Sequence, residues 1–184
     1  MRLHFSARLV LFTAGLIALS VGFASMVVYV QSRAALEKHL AQELLAVVNS
    51  AAPLIDGDLH QIITLGADGE VSTPEEFAEI QKQLVRVKTA NQLSGHGSPV
   101  YTLRRASDYA KTHELEFVAM TDRDRQGRWF VGNRYPERPQ QRTALKGRAS
   151  STGIYQDAEG SWISAAAPIR DAGGNVVGDR KSVV

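Results

Sequence analysis

Residues Leu9–Val30, LVLFTAGLIALSVGFASMVVYV, decide how the rest of the chain is read, because no charged residue interrupts them. A helix rises about 1.5 Å per residue, so about twenty apolar residues cross the roughly 30 Å hydrocarbon core of a bilayer. Only a helix satisfies all the backbone hydrogen bonds of a single crossing segment. We therefore predict a transmembrane helix over residues 9–30. The alternative is a cleaved secretory signal, although the run exceeds the roughly 7–15 apolar residues of such signals.

The residues around the apolar run indicate its orientation and a partner. The leader, residues 1–8, carries Arg2 and Arg8, and no larger basic block follows the run. Because basic residues favour the cytoplasmic side, we expect a cytoplasmic leader and an extracytoplasmic domain after Val30. Small side chains recur at every fourth position of the run, which lets two membrane helices approach closely and favours a homodimer: Ala14, Ala18 and Gly22.

The helical pattern continues beyond the membrane run as a stalk. Apolar residues step by three or four positions from Leu36 through Leu40, Leu44 and Val47. Such a seam is typical of a helix that packs on one side. We expect it to be buried against its own domain, against a second protomer, or against both. Pro53 should then kink or end the helix.

The composition narrows the classes of function. The formal net charge is +2, which does not favour a nucleic-acid partner. The absence of cysteine excludes disulfides, thiolate metal sites and cysteine nucleophiles. The five histidines show no pair at metal-ligand spacing, and no nucleotide-binding glycine loop, nucleophile elbow or HExxH motif occurs. We therefore expect no catalytic residue, no metal and no cofactor in this chain.

Helical segments lead the domain that follows the membrane run. LIDGDLH, residues 54–60, predicts a short helix with Asp56 or Asp58 at its N-cap. A longer helix should begin at Thr73, where threonine and proline form a helix start. We assign residues 31–99 to the stalk and this helical part.

The pattern then changes from helical to alternating. It predicts an antiparallel meander of strands joined by tight turns: Val100–Arg105, Leu115–Thr121, Arg128–Gly132, Thr152–Asp157, Ser161–Arg170 and Asn175–Gly178. Residues 100–178 therefore form a sheet of about five or six strands with helices on one face. The predicted fold class is α+β, with a transmembrane helix continuing into a long stalk helix and then the antiparallel sheet.

Two motifs carry a resemblance to a known family. LIDGDLH after a membrane and stalk helix, followed by TGIYQDAEGSWISAAAPIRDAGGNVVG at residues 152–178, resembles the extracytoplasmic Cache-type, PAS-like sensor domains of bacterial membrane receptors. The resemblance implies a small-molecule ligand on the exposed concave side of the sheet. It also implies a place in the bacterial inner membrane, with the sensor domain in the periplasm or outside the cell.

The resemblance also implies how such a domain signals. The signal passes through the stalk and a second membrane helix to a HAMP linker, and then to a histidine kinase, a nucleotide or diguanylate cyclase, a phosphatase or a chemotaxis module. We therefore expect a ligand-sensing module that is not itself an enzyme, although a parent protein would be a histidine kinase or a nucleotide cyclase. The alternatives are the sensor of an adenylate or guanylate cyclase, a membrane-anchored binding or adhesion protein without an output domain, and a membrane-anchored hydrolase, for which no catalytic constellation is seen.

The closing residues, 179–184 (DRKSVV), do not continue the pattern of the last strand. Asp179, Arg180 and Lys181 are consecutive charges in a position where an apolar strand is expected. The start of a widely used sequencing adaptor can encode these residues, and its next in-frame triplet is a stop. We therefore predict a non-native tail at 179–184 that pairs weakly, with the natural sequence of this strand ending at Gly178. The alternative is a genuine small membrane-anchored protein.

The candidate ligand-binding residues are aromatic and polar side chains on the predicted strands, because pockets combine apolar walls with a few fixed polar groups. Alternation places Tyr101 and Arg105 on one face of the first strand and Arg104 on the other. An arginine is suited to anchor a ligand carboxylate. Each of these residues has an alternative role, the aromatics in packing and the arginine in solvent. The full candidate set is Tyr101, Arg104, Trp129, Tyr155, Trp162 and Ser164.

Overall fold

The computed structural model describes residues 5–66, 71–93, 99–121, 130–157 and 160–183. The chain divides into two units, Met1–His39 and Leu40–Val184, and each is described by itself.

The first unit is the amino-terminal part of α1, a helix that spans Phe5–Ala51. Its apolar side chains are exposed, as Phe12 at 65% and Leu19 at 73% illustrate. Among the described residues it is the one helix long and apolar enough to cross a membrane. Because a helix that is apolar on all sides needs apolar surroundings, this surface suits lipid.

The second unit begins with the carboxyl-terminal part of α1. Leu44 and Val48 are buried there, together with Val47, whereas Leu40 is half-buried and Leu36, in the first unit, is 59% exposed. The predicted seam is therefore buried within the chain only from Leu44 onward. A short 3₁₀ turn over Ala52–Leu54, which contains Pro53, ends the helix.

Four shorter helices follow in the part of the chain that the structure describes: α2, Gly57–Ile62; α3, Pro74–Ala90; α4, Tyr109–Thr112; and α5, Pro139–Ala144. Asp56 caps α2, because its carboxylate accepts hydrogen bonds from the backbone N–H groups of Asp58 and Leu59 at 3.0 Å. The predicted helix start over LIDGDLH is confirmed, with Asp56 as the capping residue.

The described residues contain eight strands: β1, Val100–Arg105; β2, Glu114–Met120; β3, Arg134–Pro136; β4, Ser150–Ser151; β5, Tyr155–Asp157; β6, Gly160–Trp162; β7, Ser164–Arg170; and β8, Val176–Val183. Six of them form one sheet in the order β3-β2-β1-β8-β7-β4, and β5 pairs with β6 separately. All the pairings are antiparallel. The predicted α+β fold class, with a long helix before an antiparallel sheet, is confirmed.

The simple meander expected from the sequence is wrong in its order, because the last strand lies between β1 and β7. The strand predicted at 128–132 is also wrong for its described residues, 130–132, and the strand lies at Arg134–Pro136 instead. Because the segment around Tyr135 is polar in composition, the sequence did not indicate a strand there, although Tyr135 is only 3% exposed. The strand predicted over Ser161–Arg170 is divided at Ile163, because β6 pairs with β5 while β7 stays in the main sheet.

Pairing in β8 continues past Gly178. Asp179 pairs with Leu103 of β1 and with Pro168 of β7, and the ladder with β7 extends to Val183. The prediction that residues 179–184 pair weakly is therefore wrong for 179–183. Backbone ladders do not depend on side-chain polarity, and a strand with a neighbour on both sides satisfies its backbone groups. The non-native origin of these residues stays a prediction.

The sheet has two differently covered faces. Helices α1–α3 cover one face, the helix face, where buried apolar residues form a core: Val48, Ile55, Ile63, Ile80, Leu84, Val100, Val118, Ala165, Ala167 and Ile169. The opposite face, the tyrosine face, carries a second cluster with α5 beside it: Tyr101, Leu103, Leu115, Phe117, Tyr135 and Leu145. The predicted helical layer on one face is thus present, and α5 covers part of the other.

Candidate functional site

Three tyrosines from three strands converge on the tyrosine face. Tyr101 belongs to β1, Tyr135 to β3 and Tyr155 to β5. The rings of Tyr101 and Tyr135 lie 6.4 Å apart at 60°, and Phe117 packs edge-on against both at 5.0 and 5.5 Å. Edge-to-face packing of this kind fixes ring orientation. The cluster is therefore an ordered aromatic wall.

The ammonium group of Lys181 lies among these three rings. Its Nζ donates to the hydroxyl oxygen of Tyr135 at 3.1 Å and to that of Tyr155 at 3.4 Å. The same Nζ lies 5.5, 5.0 and 5.8 Å from the ring centroids of Tyr101, Tyr135 and Tyr155. Lys181 is 1% exposed. The amino group of Lys181 is thus held away from water by aromatic rings and hydroxyl groups.

A second cation lies beside the tyrosines. The guanidinium carbon of Arg138 is 4.6 Å from the ring centroid of Tyr155 and 5.8 Å from that of Tyr135. Arg138 directly precedes α5, whose first residue is Pro139. Since arginine stacks favourably on aromatic faces, this residue joins α5 to the tyrosine cluster.

Asp179 is the acidic group of this face, two positions before Lys181 on β8. It is 0% exposed, and neither carboxyl oxygen has a hydrogen-bond partner among the described residues. Burial raises the pKa of Asp179 to about 8; the charge of Lys181 opposes the rise and that of Glu137 adds to it. Burial favours the neutral acid, so this carboxyl group is a weak counter-charge for the ammonium at neutral pH.

The phenol groups stay neutral at physiological pH. Burial raises the pKa of Tyr135 to about 12, and burial with the neighbouring tyrosines raises the pKa of Tyr101 well above its ordinary value. Neutral phenols offer hydroxyl oxygens and ring faces, and they are poor nucleophiles. The arrangement is therefore suited to holding a cation.

The structure brings four of the six candidate residues to this region. Tyr101 and Tyr155 contact the lysine directly, and Trp162 pairs with Tyr155 across the β5–β6 ladder while packing on the tyrosine-face cluster. Ser164 is buried on the same face, where its hydroxyl oxygen accepts a 3.2 Å hydrogen bond from the amide of Gln140.

The other two candidates lie apart from this region or outside the described residues. Arg104 belongs to the helix face, where it donates to the backbone carbonyls of Ile63 at 2.7 Å and Gln61 at 3.3 Å and pairs with Glu116. Its guanidinium is therefore used within the fold and is not brought together with the tyrosines. Trp129 lies outside the described residues.

Sequence reasoning missed Tyr135, Arg138 and Lys181. The first two lie between the strands predicted at 128–132 and 152–157, where the alternation of Arg134, Tyr135 and Pro136 was the available signal. Lys181 was assigned to the tail. No pattern in the sequence indicates that residues so far apart meet.

Two other features of the described residues bear on the site. No group of three or more histidine, aspartate or glutamate side chains among them could hold a metal ion. An open cavity of about 460 Å³ lies between α1 and the end of α3, lined by Leu40, Glu43, Leu44, Val47 and residues 90–93. This cavity borders the helix layer and contains none of the tyrosines.

No protein-family model matches the chain, and no curated protein matches it. Among solved structures, the chain is similar to the E. coli DcuS sensor domain, with a TM-score of 0.48, 16% identity, and coverage of 80% of this chain and 90% of that one. It is also similar to the V. cholerae histidine kinase DctB sensor domain, with a TM-score of 0.46 and 16% identity. That match covers 98% of this chain and 57% of the DctB chain.

A third likeness is to the ligand-binding domain of the Pseudomonas aeruginosa amino acid chemoreceptor PctC, solved in complex with GABA. The TM-score is 0.39 at 20% identity, and the match covers 85% of this chain and 62% of the PctC chain. The chain therefore spans less than two thirds of the DctB and PctC structures. Because the TM-scores lie below 0.5, nothing about the function of this chain is taken from them.

Proposed function

We propose that this chain is a membrane-anchored sensor whose tyrosine face binds a small molecule. The observation that carries the proposal is the convergence of Tyr101, Tyr135 and Tyr155, with the guanidinium of Arg138 beside the last two rings. Binding sites combine aromatic walls with a few convergent polar groups, and this cluster has both. Tyr101, Tyr155, Trp162 and Ser164 are the predicted residues that would contribute to the site.

A route from this site to α1 supports a sensing role. Neighbouring residues on β8 point to opposite faces, so Lys181 reaches the tyrosines while Arg180 reaches the helix face. The guanidinium of Arg180 donates to the backbone carbonyl of Val47 on α1 at 3.2 Å. In the sequence as given, this buried hydrogen bond joins β8 to α1, so a shift of β8 on ligand binding would be felt at Val47.

The finer assignment extends the resemblance found in the sequence. Residues after Val30 lie in the periplasm or outside the cell, and the helix over residues 9–30 crosses the bacterial inner membrane. Ligand occupancy passes along the stalk to a cytoplasmic output module of the histidine kinase or nucleotide cyclase class. Protomers dimerise through the stripe of Ala14, Ala18 and Gly22 and through the stalk.

The sensing proposal is tested on the purified full chain in detergent micelles. Tryptophan fluorescence follows unfolding of the second unit selectively, because both tryptophans, Trp129 and Trp162, lie after residue 40. A library of small metabolites is screened for ligands that raise the melting temperature by mass action. We expect a ligand that stabilises the wild-type chain and does not stabilise Tyr155→Ala. Equal stabilisation of both proteins, or of neither by any compound, would contradict the proposal.

The topology is tested separately with reporter fusions at the two ends of the full chain. An alkaline phosphatase fusion at the carboxyl terminus should be active, and one at the amino terminus inactive. The opposite pattern would overturn the proposed orientation.

A further inference from the structure

His60, on α2, is a buried polar side chain without a hydrogen bond in the described part of the chain. It is 0% exposed, and neither Nδ1 nor Nε2 has a partner among the described residues. Its ring packs on the backbone of β8, since a Cβ at Gly178 would lie 2.7 Å from its Cε1 atom. A neutral imidazole carries one donor and one acceptor, and leaving both unpaired in the interior costs free energy. Packing alone therefore does not account for an imidazole here.

The surroundings of His60 disfavour its protonated form. Arg104 of β1, which pairs with Glu116, lies at the carboxyl end of α2. It donates there to the carbonyl oxygens of Gln61 at 3.3 Å and Ile63 at 2.7 Å. Burial first and the charge of Arg104 second lower the pKa of His60 to about 3. An imidazolium therefore forms readily only when α2 has left the sheet and His60 has reached water.

The other charged groups on the elements around α2 do not offset this effect. β8 presents Arg180 to the helix face, and Arg170 and Asp171 flank the β7–β8 turn; all three are bonded to groups other than His60. On α2 itself, Asp58 accepts a hydrogen bond from the β7–β8 turn. The charged side chains of α3 are half-buried or exposed. Among the described residues, no carboxylate is therefore hydrogen-bonded to His60 to stabilise an imidazolium.

We propose that α2 is a proton-sensitive latch on β8: acidification protonates His60, releases α2 from the sheet, and so gives the sensor a second input from the helix face. Release also breaks the 3.1 Å hydrogen bond between the Asp58 carboxylate and the N–H of Ala172 at the β7–β8 turn. β8 is the strand whose Arg180 bonds to α1, so acid and a ligand of the tyrosine face would act on the same strand from opposite sides. As an input to signalling, the latch rests on the proposed sensing function, whereas the release of α2 does not.

Hydrogen exchange of the wild-type full chain in detergent micelles, read by mass spectrometry at pH 7 and pH 5, measures the release of α2. With a His60 pKa of 6.5 in the released state and about 3 in the docked state, release becomes about 25-fold more favourable between these pH values. We therefore expect the protection factors of the α2 amides, corrected for intrinsic exchange rates, to fall about 25-fold. Amides of β2, which we expect to exchange by unfolding of the whole unit, should change less than about fivefold. Such unfolding also exposes Asp179, whose raised pKa of about 8 acts in the opposite direction.

Matched variants assign the effect to His60. His60→Phe keeps an aromatic ring against β8 without a titrating nitrogen, so the protection of α2 should be the same at both pH values. His113→Asn removes an exposed histidine whose φ of 55° asparagine tolerates, and it should keep the change of about 25-fold. Protection of α2 that is equal at pH 7 and pH 5 in the wild-type chain, or a change that His60→Phe retains, would overturn the inference.

A second measurement covers the case in which His60→Phe does not fold. In the wild-type full chain, the imidazole NMR signal of His60 should remain that of the neutral ring from pH 7 to pH 5, because the docked ring excludes the proton. A His60 ring that titrates between these pH values in the folded chain would also overturn the inference. If the latch fails while a metabolite still stabilises the wild-type chain and not Tyr155→Ala, the sensing proposal stands and only the acid input is lost. If acid releases α2 while no metabolite stabilises the chain, the latch stands and the sensing proposal is lost.

Discussion

The two faces of the sheet are buried by different means. On the helix face, small and apolar groups meet closely: a Cβ at Gly178 would lie 2.5 Å from the backbone oxygen of Leu103 and 2.7 Å from the His60 ring. On the tyrosine face, the same strand presents Asp179 and Lys181, both buried, to aromatic rings. Close packing of small residues serves stability, whereas charge among convergent aromatics serves binding. We therefore propose the helix face as the scaffold and the tyrosine face as the recognition surface.

The two sequence motifs that suggested the family contact each other at the end of β7. In LIDGDLH, Gly57 lies against the backbone carbonyl of Arg170, and the Asp58 carboxylate accepts a 3.1 Å hydrogen bond from the N–H of Ala172. Both partners lie at the turn between β7 and β8. In this chain the two motifs therefore pack against each other at the end of β7, while Tyr155, Trp162 and Ser164 of the second motif lie toward the tyrosine face.

The largest loss of unfolding free energy is expected at Gly57, where the packing leaves no room for an added side-chain atom. In Gly57→Ala, the new Cβ would overlap the carbonyl oxygen of Arg170, which is backbone and cannot rotate away. We expect a loss of about 4 kcal/mol or more in unfolding free energy, measured by denaturant titration of the full chain in detergent micelles with tryptophan fluorescence.

Gly173→Ala is the matched control for this experiment. A Cβ there would meet the Asn175 side-chain nitrogen at 3.0 Å, and that side chain can move. The control should therefore cost less than about 1 kcal/mol. Equal losses of unfolding free energy in both variants would show that the close contact is not the reason for glycine at position 57.

The next effect concerns the core on the helix face. Leu44 is 2% exposed and packs with Val48 and Ala165. Leu44→Ala should therefore cost about 2–5 kcal/mol, and Leu36→Ala, at a 59% exposed position of the same helix, less than about 0.5 kcal/mol. Both losses are read from the same denaturant titration. A loss at Leu36 as large as that at Leu44 would place a protein partner over Leu36.

Sequence patterns predicted the helices and strands better than they predicted which of these elements lie side by side. The uncharged run and the apolar seam predicted α1, and alternation correctly placed Tyr101 and Arg104 on opposite faces of β1. The same alternation argued against using both residues in one site. Periodicity describes one element at a time, so it carried no information that β8 would lie beside β1 or that Tyr135 would meet Lys181.

A pH dependence of opposite sign is expected from the two faces. On the helix face, burial first and Arg104 second lower the pKa of His60 from 6.5 to about 3. The contribution of His60 to folding stability is therefore present above pH 6.5 and is lost as pH falls toward 3. On the tyrosine face, the pKa of Asp179 is raised from 3.8 to about 8, so its stability is present below pH 3.8 and is lost as pH rises through 8. Between pH 5 and 7 these two effects oppose each other.

Removing one group should reveal the other. Asp179→Asn should be less stable at pH 5 than at pH 7 by about 2 kcal/mol because of His60, and His60→Leu should be less stable at pH 7 than at pH 5 by a similar amount because of Asp179. Denaturant titrations of the two variants at both pH values measure this. The same pH slope in both variants would show that neither group is buried as described.

The smallest effect tests how the tyrosine face holds its charge. The hydroxyl oxygen of Tyr155 accepts from Lys181 at 3.4 Å, while its ring lies 5.8 Å from the same ammonium. Tyr155→Phe removes the hydrogen bond and keeps the ring, so it should cost about 1 kcal/mol or less. Tyr155→Leu removes the ring as well and should cost about 1 kcal/mol more, if cation–π attraction contributes.

Tyr29 provides the control, because it is 65% exposed and lies in the apolar run, so Tyr29→Phe should leave the unfolding of the second unit unchanged. Equal losses in Tyr155→Phe and Tyr155→Leu would assign the whole contribution to the hydroxyl group. The tyrosine face would then be an ordinary hydrogen-bonded core like that around Ser164. It would differ from the helix face only in having more polar side chains.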